Sequence, residues 1–305
     1  MTAPPPPSQP PPASPPHPRP LDRLPMGDTL DVRLAREFQA GHFASAFSCP
    51  LEGLASSLHL LPPRDRAFWV FGEDHEIAPA LALLGERGYT RAEPHPAMAP
   101  GAAPARSVES PWVGGDARVR LWQPTPFLAE VLDALSVAPG ARAVDVACGS
   151  GRDATFLALA GFETIGVDVL PDALAKARDL AETARRAVPD LSLPLWLRAD
   201  LEQAWPLRRA AFDLVSCARF LWRPLLPALA AALAPGGSLV YETFTVRQRR
   251  HGKPLHPDHL LEEGELAARF AALGLDIVRQ RESDPEGGPA LASVWARAPV
   301  RAPRG

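Results

Sequence analysis

Cysteine, net charge and long apolar runs are all scarce in these 305 residues, and each scarcity removes a class of function. The three cysteines, Cys49, Cys148 and Cys217, lie far apart and form no C-x-x-C pair, which excludes a zinc ribbon and a disulfide-stapled scaffold. A reducing, cytoplasmic setting is the expectation. A formal net charge of −3 argues against a protein built to grip nucleic acid. No apolar run reaches the length of a membrane span, and no basic-then-apolar leader pattern opens the chain. Proline is the opposite case, at 37 residues, gathered in a lead segment and in linkers.

Composition divides the chain. Residues 1–25 begin MTAPPPPSQPPPASPPHPRP, which has no apolar period to pack and is expected to be an extended tail. Residues 26–93 read as a small α/β unit. Strands are expected at 29–33 and 67–71, a helix over 77–87 with Ile77, Leu81 and Leu84 on one face, and a last strand from Tyr89. Residues 94–117 are rich in proline, glycine and alanine, a linker composition. Residues 118–298 hold a second, larger domain, opened by a helix that Thr125 caps, with Pro126 at its first position.

Within that domain, residues 141–168 run ARAVDVACGSGRDATFLALAGFETIGVD. The apolar run at 143–147 suits a buried parallel strand. It passes into Cys148-Gly149-Ser150-Gly151, where glycines permit a turn closed to other residues. Asp153 opens a helical pattern ended by Gly161, and a second strand finishes on Asp168. Strand, glycine turn, helix, strand, acid is a nucleotide-binding βαβ unit. Further strands at 195–199, 212–217 and 238–244 alternate with helices, and an antiparallel pair at 275–281 and 291–297 closes the chain. The fold class is therefore α/β, a doubly wound Rossmann-like sheet.

The glycine turn alone fits NAD and S-adenosylmethionine equally. Asp145 tilts the balance: it sits inside the first strand, where a dinucleotide site has an apolar residue, and faces the mouth. A carboxylate there suits a ligand carrying an ammonium and a sulfonium over a pyrophosphate. Asp200 ends the third strand, placed to accept from an adenine amino group or to cap residues from Leu201 onward. Over roughly residues 121–297 these features resemble the class I S-adenosylmethionine-dependent methyltransferases, whose first motif reads V-D-x-x-C-G-x-G. The resemblance implies S-adenosylmethionine as cofactor. It puts Asp145, Ala147, Cys148, Gly149, Ser150, Gly151, Asp168, Val169, Asp200, Leu201 and Cys217 around it, with Asp168 on the ribose hydroxyls. Asp168 has a second reading as a helix N-terminal carboxylate near Pro171, and Cys148 is a wall residue. Tyr241-Glu242-Thr243-Phe244, Gln248, Gly252-Lys253-Pro254, Leu260-Leu261 and Gly264-Glu265-Leu266 look like the bacterial tellurite-resistance-type subgroup, which points to chalcogen oxyanions or thiols as acceptors.

The 26–93 unit, with Asp31-x-Arg33, Gly41-His42 before Ala46, and a closing Gly88-Tyr89, resembles a rhodanese-like domain. It departs from that family where a reactive cysteine belongs. The stretch after the central strand is Gly72-Glu73-Asp74-His75-Glu76, with no thiol and three acids that repel an anionic sulfur donor. A sulfurtransfer-inactive appendage follows, retained for packing or for a protein partner, as the proline-rich tail is also read. Cys49 is a buried structural thiol.

Methyl transfer from a sulfonium is an in-line displacement that forces no catalytic residue. Candidates at the fourth and fifth strand ends are Arg219 and Glu242, the latter as a base or as an orienter. Arg219, Arg223, Arg247, Arg249, Arg250, His251 and Lys253 form either a cationic mouth for a small anionic acceptor or a solvated loop. Trp122 and Phe127 are core or lid. The other readings of the same unit are an NAD(P)-linked oxidoreductase and a non-enzymatic binding module. Asp145, Asp200 and the closing strand pair speak against the first, and the intact turn with its acids against the second.

Overall fold

The computed structural model describes residues 23–96 and 111–300. The expected tail up to residue 22 and the middle of the expected linker, 97–110, lie outside the described residues.

Short apolar strands and short helices alternate in the first part of the chain. They are β1 (Thr29–Asp31), α1 (Ala35–Ala40), β2 (His42–Phe43), β3 (Ala46–Ser48), α2 (Leu51–Leu54), β4 (Phe68–Phe71), α3 (Asp74–Glu86), β5 (Ala92–Pro94) and β6 (Trp112–Val113). Four strands form a parallel sheet in the order β3-β1-β4-β5. Its middle, Leu30 and Val70, is fully buried, as a sheet covered on both faces requires. The Asp31-x-Arg33 pair is an internal clamp: Arg33 donates to Asp31 at 2.6 Å and to the Gly41 carbonyl at 2.8 Å. A carboxylate buried at a strand end is thereby neutralised and hydrogen-bonded. His42 settles a backbone group, its Nδ1 lying 2.8 Å from the Phe38 carbonyl.

Three expectations change here. The segment after β4 is not an open acidic loop, because Asp74, His75 and Glu76 already belong to α3 and Glu76 accepts from the Glu73 amide at 2.8 Å. Acids at a helix N-terminus complement its dipole and its free amides. The expected linker docks at its far end, where Trp112–Val113 pairs antiparallel with His42–Phe43. Gly41 backs onto that indole so closely that a Cβ would stand 2.1 Å from its nitrogen. Contacts also start before residue 26, since Leu24 is buried and Arg23 donates to the Leu159 carbonyl at 3.1 Å.

The second part is built from α4 (Pro126–Asp133), β7 (Arg142–Val146), α5 (Arg152–Leu159), β8 (Glu163–Asp168), α6 (Pro171–Ala187), β9 (Leu195–Arg198), β10 (Phe212–Ala218), α7 (Leu226–Ala232), β11 (Leu233–Phe244), α8 (Glu265–Ala272), β12 (Asp276–Ser283) and β13 (Leu291–Arg297). Seven strands form one sheet in the order β12-β13-β11-β10-β7-β8-β9. Only β13 runs against its neighbours. The chain winds outward from β7 to β9 and then returns to β10 on the other side of β7. The switch in strand order therefore falls between β7 and β10, where open α/β sheets place their ligands.

One apolar core joins the two parts. Leu30, Val70 and Leu84 share it with Trp122, Phe127, Phe156 and Leu180, so Trp122 and Phe127 are core. Each such side chain contributes roughly 1.5–3 kcal/mol relative to exposure. The parts are fused through this core, more tightly than two independent domains on a linker. Among the described residues no helix is long and apolar enough to cross a membrane.

Candidate functional site

At the switch point β7 and β10 are each followed by a residue held in left-handed backbone, Ala147 at φ 55° and Arg219 at φ 59°. Holding a side chain there costs about 1–3 kcal/mol, and such strain collects at functional sites. Gly149 and Gly151, also left-handed, carry the chain into α5. Gly151 is required by space as well. A Cβ on it would lie 2.6 Å from the Trp196 ring and 2.7 Å from the Ala177 Cβ. A crevice of about 480 Å³ opens beside this turn, with Asp145, Cys148, Ser150, Asp153, Arg219 and Pro63 among its walls.

Carboxylates dominate the chemistry. Asp145 is 2% exposed, and its Oδ2 accepts from the Ala154 amide at 2.9 Å. It lies deeper than a residue at the mouth, tying the strand to the second residue past the helix start. Asp153 accepts from both the amide and the hydroxyl of Thr125 at 2.6 Å. Thr125 therefore spends its hydroxyl on Asp153 and does not cap α4 with its side chain. Asp168 accepts from Gly149 at 2.8 Å through one oxygen and from Leu170 at 2.9 Å through the other. A carboxylate oxygen has room for a second donor, so these bonds orient Asp168 and leave it able to accept more. Burial, then the charge of neighbouring Asp153, pushes the Asp145 carboxyl well above the usual carboxylate range. Burial also raises Asp153, but the two bonds from Thr125 pull it back. Burial first and these acids second also raise the Cys148 thiol, which suits an inert wall.

The residues expected around a cofactor divide into three groups. Asp145, Ala147, Cys148, Gly149 and Ser150 line the crevice, and Gly151 and Asp168 hold its turn. Asp200 is exposed just beyond β9, where the Ala199 amide donates to the Asp168 carbonyl at 3.1 Å and keeps the two strand ends together. Its Oδ1 accepts from Glu202 at 3.0 Å, opening a turn and not a helix. Val169 is 46% exposed past the end of β8, and Leu201 is buried in the core. Cys217 departs from its expected place. Its thiol is 1% exposed in the core beside Tyr241, and burial raises it. Successive strand residues face opposite sides, and this one faces away from the crevice.

The cationic mouth is smaller than the composition implies. Arg223 is taken by Glu265 at 2.6 and 2.8 Å, Arg247 by Glu263 at 2.9 Å, and Arg250 and His251 by Asp284. Arg219 remains at the crevice, 3.4 Å from Glu242 and over the Phe244 ring at 5.0 Å. Glu242 is 4% exposed, with its other oxygen accepting from Ser293 at 2.7 Å. Both of its oxygens are thus engaged, one by Arg219 and one by Ser293. A second hollow of about 550 Å³ adjoins the crevice through Arg219 and Phe220, and Phe244, Lys253, His256 and His259 complete its rim.

Sequence reasoning missed Trp196, Thr125 with Asp153, and Ser293. Trp196 had a signal: it lies opposite Gly166 in the β8–β9 register, and a glycine inside a strand marks close approach of another group. A Cβ on Gly166 would stand 2.5 Å from that indole. The other contacts join distant parts of the chain with no local pattern.

Residues 143–237 match a family described as a methyltransferase domain. A protein-L-isoaspartate O-methyltransferase of Gloeobacter violaceus is 31% identical over 152 residues, covering 48% of this chain and 70% of that one. A probable thiol methyltransferase of Arabidopsis thaliana is 28% identical over 156 residues, covering 48% of this chain and 65% of that one. Among solved structures, an S-adenosylmethionine-dependent methyltransferase of Mesorhizobium loti is similar at 21% identity and a TM-score of 0.43, over 55% of this chain and 96% of that one.

Proposed function

The chain belongs to the S-adenosylmethionine-dependent methyltransferases, and on that premise we propose that it methylates a small acceptor presented as an anion or a thiolate. The observation that carries this reading is the shared wall: one arginine, Arg219, borders both the cofactor crevice and the neighbouring hollow. That hollow combines aromatic and aliphatic surface from Phe220, Leu221, Phe244 and Leu255 with the cations Arg219 and Lys253. Such a lining fits a compact acceptor with one negative end.

The crevice residues fit the cofactor. A site with buried carboxylates and a glycine turn whose backbone can approach a ligand favours a molecule bearing cations and hydroxyls. Asp168 would take ribose hydroxyls, Asp200 the adenine amino group, and Gly149–Gly151 the amino-acid arm, with Asp145 fixing the turn from below. The cofactor supplies an electrophilic methyl on a sulfonium. The protein orients the acceptor and excludes water. Arg219 holds the acceptor's charge and Glu242 with Ser293 holds Arg219. An oxyanion or thiolate needs no general base, consistent with a Glu242 already engaged on both sides.

For the N-terminal part we infer a rhodanese-like origin without sulfur transfer. The parallel four-stranded sheet and the Asp31–Arg33 clamp support it. Residues 72–76, directly after β4, hold no thiol, and Cys49 is buried with its pKa raised to about 11, which leaves this part no thiolate to carry sulfur. The test of the whole reading is an S-adenosylhomocysteine release assay across tellurite, selenite, small thiols and carboxylic acids. Turnover with a thiol or oxyanion, lost in Arg219→Ala, is expected. Turnover confined to neutral amines or alcohols would overturn the acceptor class.

A further inference from the structure

Two contacts from the N-terminal part land on the cofactor crevice itself. Pro63 is one of its walls. Arg152, the residue directly after Gly151 and the first of α5, reaches back to the same segment. Its guanidinium donates to the His59 carbonyl at 3.3 and 3.2 Å and to the Leu61 carbonyl at 3.2 Å. Among the described residues no carboxylate forms an ion pair with Arg152, and burial lowers its pKa. A half-buried guanidinium satisfied by main-chain carbonyls is a directional tether, not a charge pair.

The carbonyl-bearing turn is held from other sides. Leu60 and Leu61 are buried. The Tyr89 hydroxyl donates to the Leu58 carbonyl at 3.2 Å. The His59 ring nitrogen Nε2 meets Asp179 of α6 at 2.9 Å. One turn, residues 58–61, therefore grips α5 through Arg152 and α6 through Asp179. Those helices follow β7 and β8, whose ends carry the Gly149–Gly151 turn and Asp168. Movement of either helix start would displace the cofactor contacts, which tolerate shifts of only about 0.5 Å.

We propose that the N-terminal part is a working piece of the cofactor site: residues 58–63 brace the glycine turn through Arg152, and Pro63 closes one side of the crevice. Arg152 is thus a positioning residue for the nucleoside cofactor. This rests on the S-adenosylmethionine reading above. It gives the sulfurtransfer-inactive appendage a function that needs no sulfur and no second protein.

The test uses the full chain, with calorimetric binding of S-adenosylhomocysteine and hydrogen exchange of residues 148–156 measured without ligand. Arg152→Ala should raise the dissociation constant about tenfold, the scale of losing charge-assisted hydrogen bonds, and speed exchange in that stretch. Arg152→Lys, which keeps stem and charge but not the fork, should behave nearly as poorly. Asp179→Ala, whose residue is no wall of the crevice, should raise the constant about twofold and add less than its own factor to Arg152→Ala, since both act through one turn. A folded Arg152→Ala chain with an unchanged constant and unchanged exchange would overturn the brace. So would a weakened constant with unchanged exchange and an Asp179→Ala chain like the parent, the signature of direct ligand contact. A parent chain that binds no S-adenosylhomocysteine would sink the cofactor reading instead, and the ligand-free exchange of Arg152→Ala would still decide the brace.

Discussion

Two strand–turn–helix units, β4–α3 and β7–α5, both have acids near the turn, and they end differently. In β4–α3 the acids belong to the helix start itself, and Glu76 folds back onto the Glu73 amide. Its glycine, Gly72, is hemmed in by Val32 and Glu76, which a Cβ would meet at 2.7 and 3.1 Å. The helix end is sealed by its own side chains. In β7–α5 the helix is preceded by Gly151, which has no side chain to seal it; the acid of its first turn, Asp153, is engaged by Thr125, and the carboxylate that meets a helix-start amide comes from inside the strand. Asp145 takes only the Ala154 amide, and a Cβ on Gly149 would meet nothing within 4 Å. An acid one element earlier supports the helix from below and leaves its mouth open. The position of the acid, more than its presence, separates a capped helix from a ligand site.

The hardest way to break the comparison is to seal the open turn. Gly151→Val places a branched side chain at positive φ against Trp196 and Ala177. Loss of roughly 3 kcal/mol or more of stability is expected, together with loss of cofactor binding; thermal unfolding and calorimetry measure both. Asp168→Ala keeps the turn glycines but removes the acceptor facing the ligand. S-adenosylhomocysteine should bind about 1.5–3 kcal/mol more weakly, with the fold retained.

A pH series sharpens the same point. Asp145 faces Asp153 and Asp168, and its folded pKa is raised. A raised carboxyl favours the folded state at low pH, and that contribution is lost as pH rises above its unfolded value near 4. A cationic ligand favours the ionised form, so binding should release a proton and tighten as pH rises. Calorimetry of S-adenosylmethionine in buffers of different ionisation enthalpy reads that proton directly, and Asp145→Asn should abolish the buffer dependence. On the sealed side the effect is the smallest. Glu76→Gln should cost about 0.5–1 kcal/mol of stability and leave cofactor affinity unchanged, as chemical denaturation and titration would record.

The parts of this structure legible in the sequence are those written in local patterns. The buried stripe of α6 (Leu174, Ala177, Ala181 and Ala184) follows a period of 3.6, and the left-handed turn is marked by Gly149 and Gly151. The closing β12–β13 pair flanks Gly287-Gly288. What stayed hidden has no local trace. Arg152 meets His59 and Leu61 some ninety residues away in sequence, and both acceptors are backbone carbonyls, which any residue provides. Trp112–Val113 is too short a strand to show alternation within a proline- and glycine-rich stretch. The cations Arg223, Arg247, Arg250 and His251 were visible, but their partners Glu265, Glu263 and Asp284 come from segments that only the fold brings near. Composition counts charges and cannot say which are already paired.

The central claim is that the open turn between β7 and α5 is a seat for a sulfonium nucleoside. Titrating S-adenosylmethionine into the full chain at neutral pH tests it most directly. Saturable one-to-one uptake that Asp168→Ala weakens and Glu76→Gln leaves alone is the expected result. A folded chain that takes up no ligand, or uptake indifferent to Asp168, would contradict it.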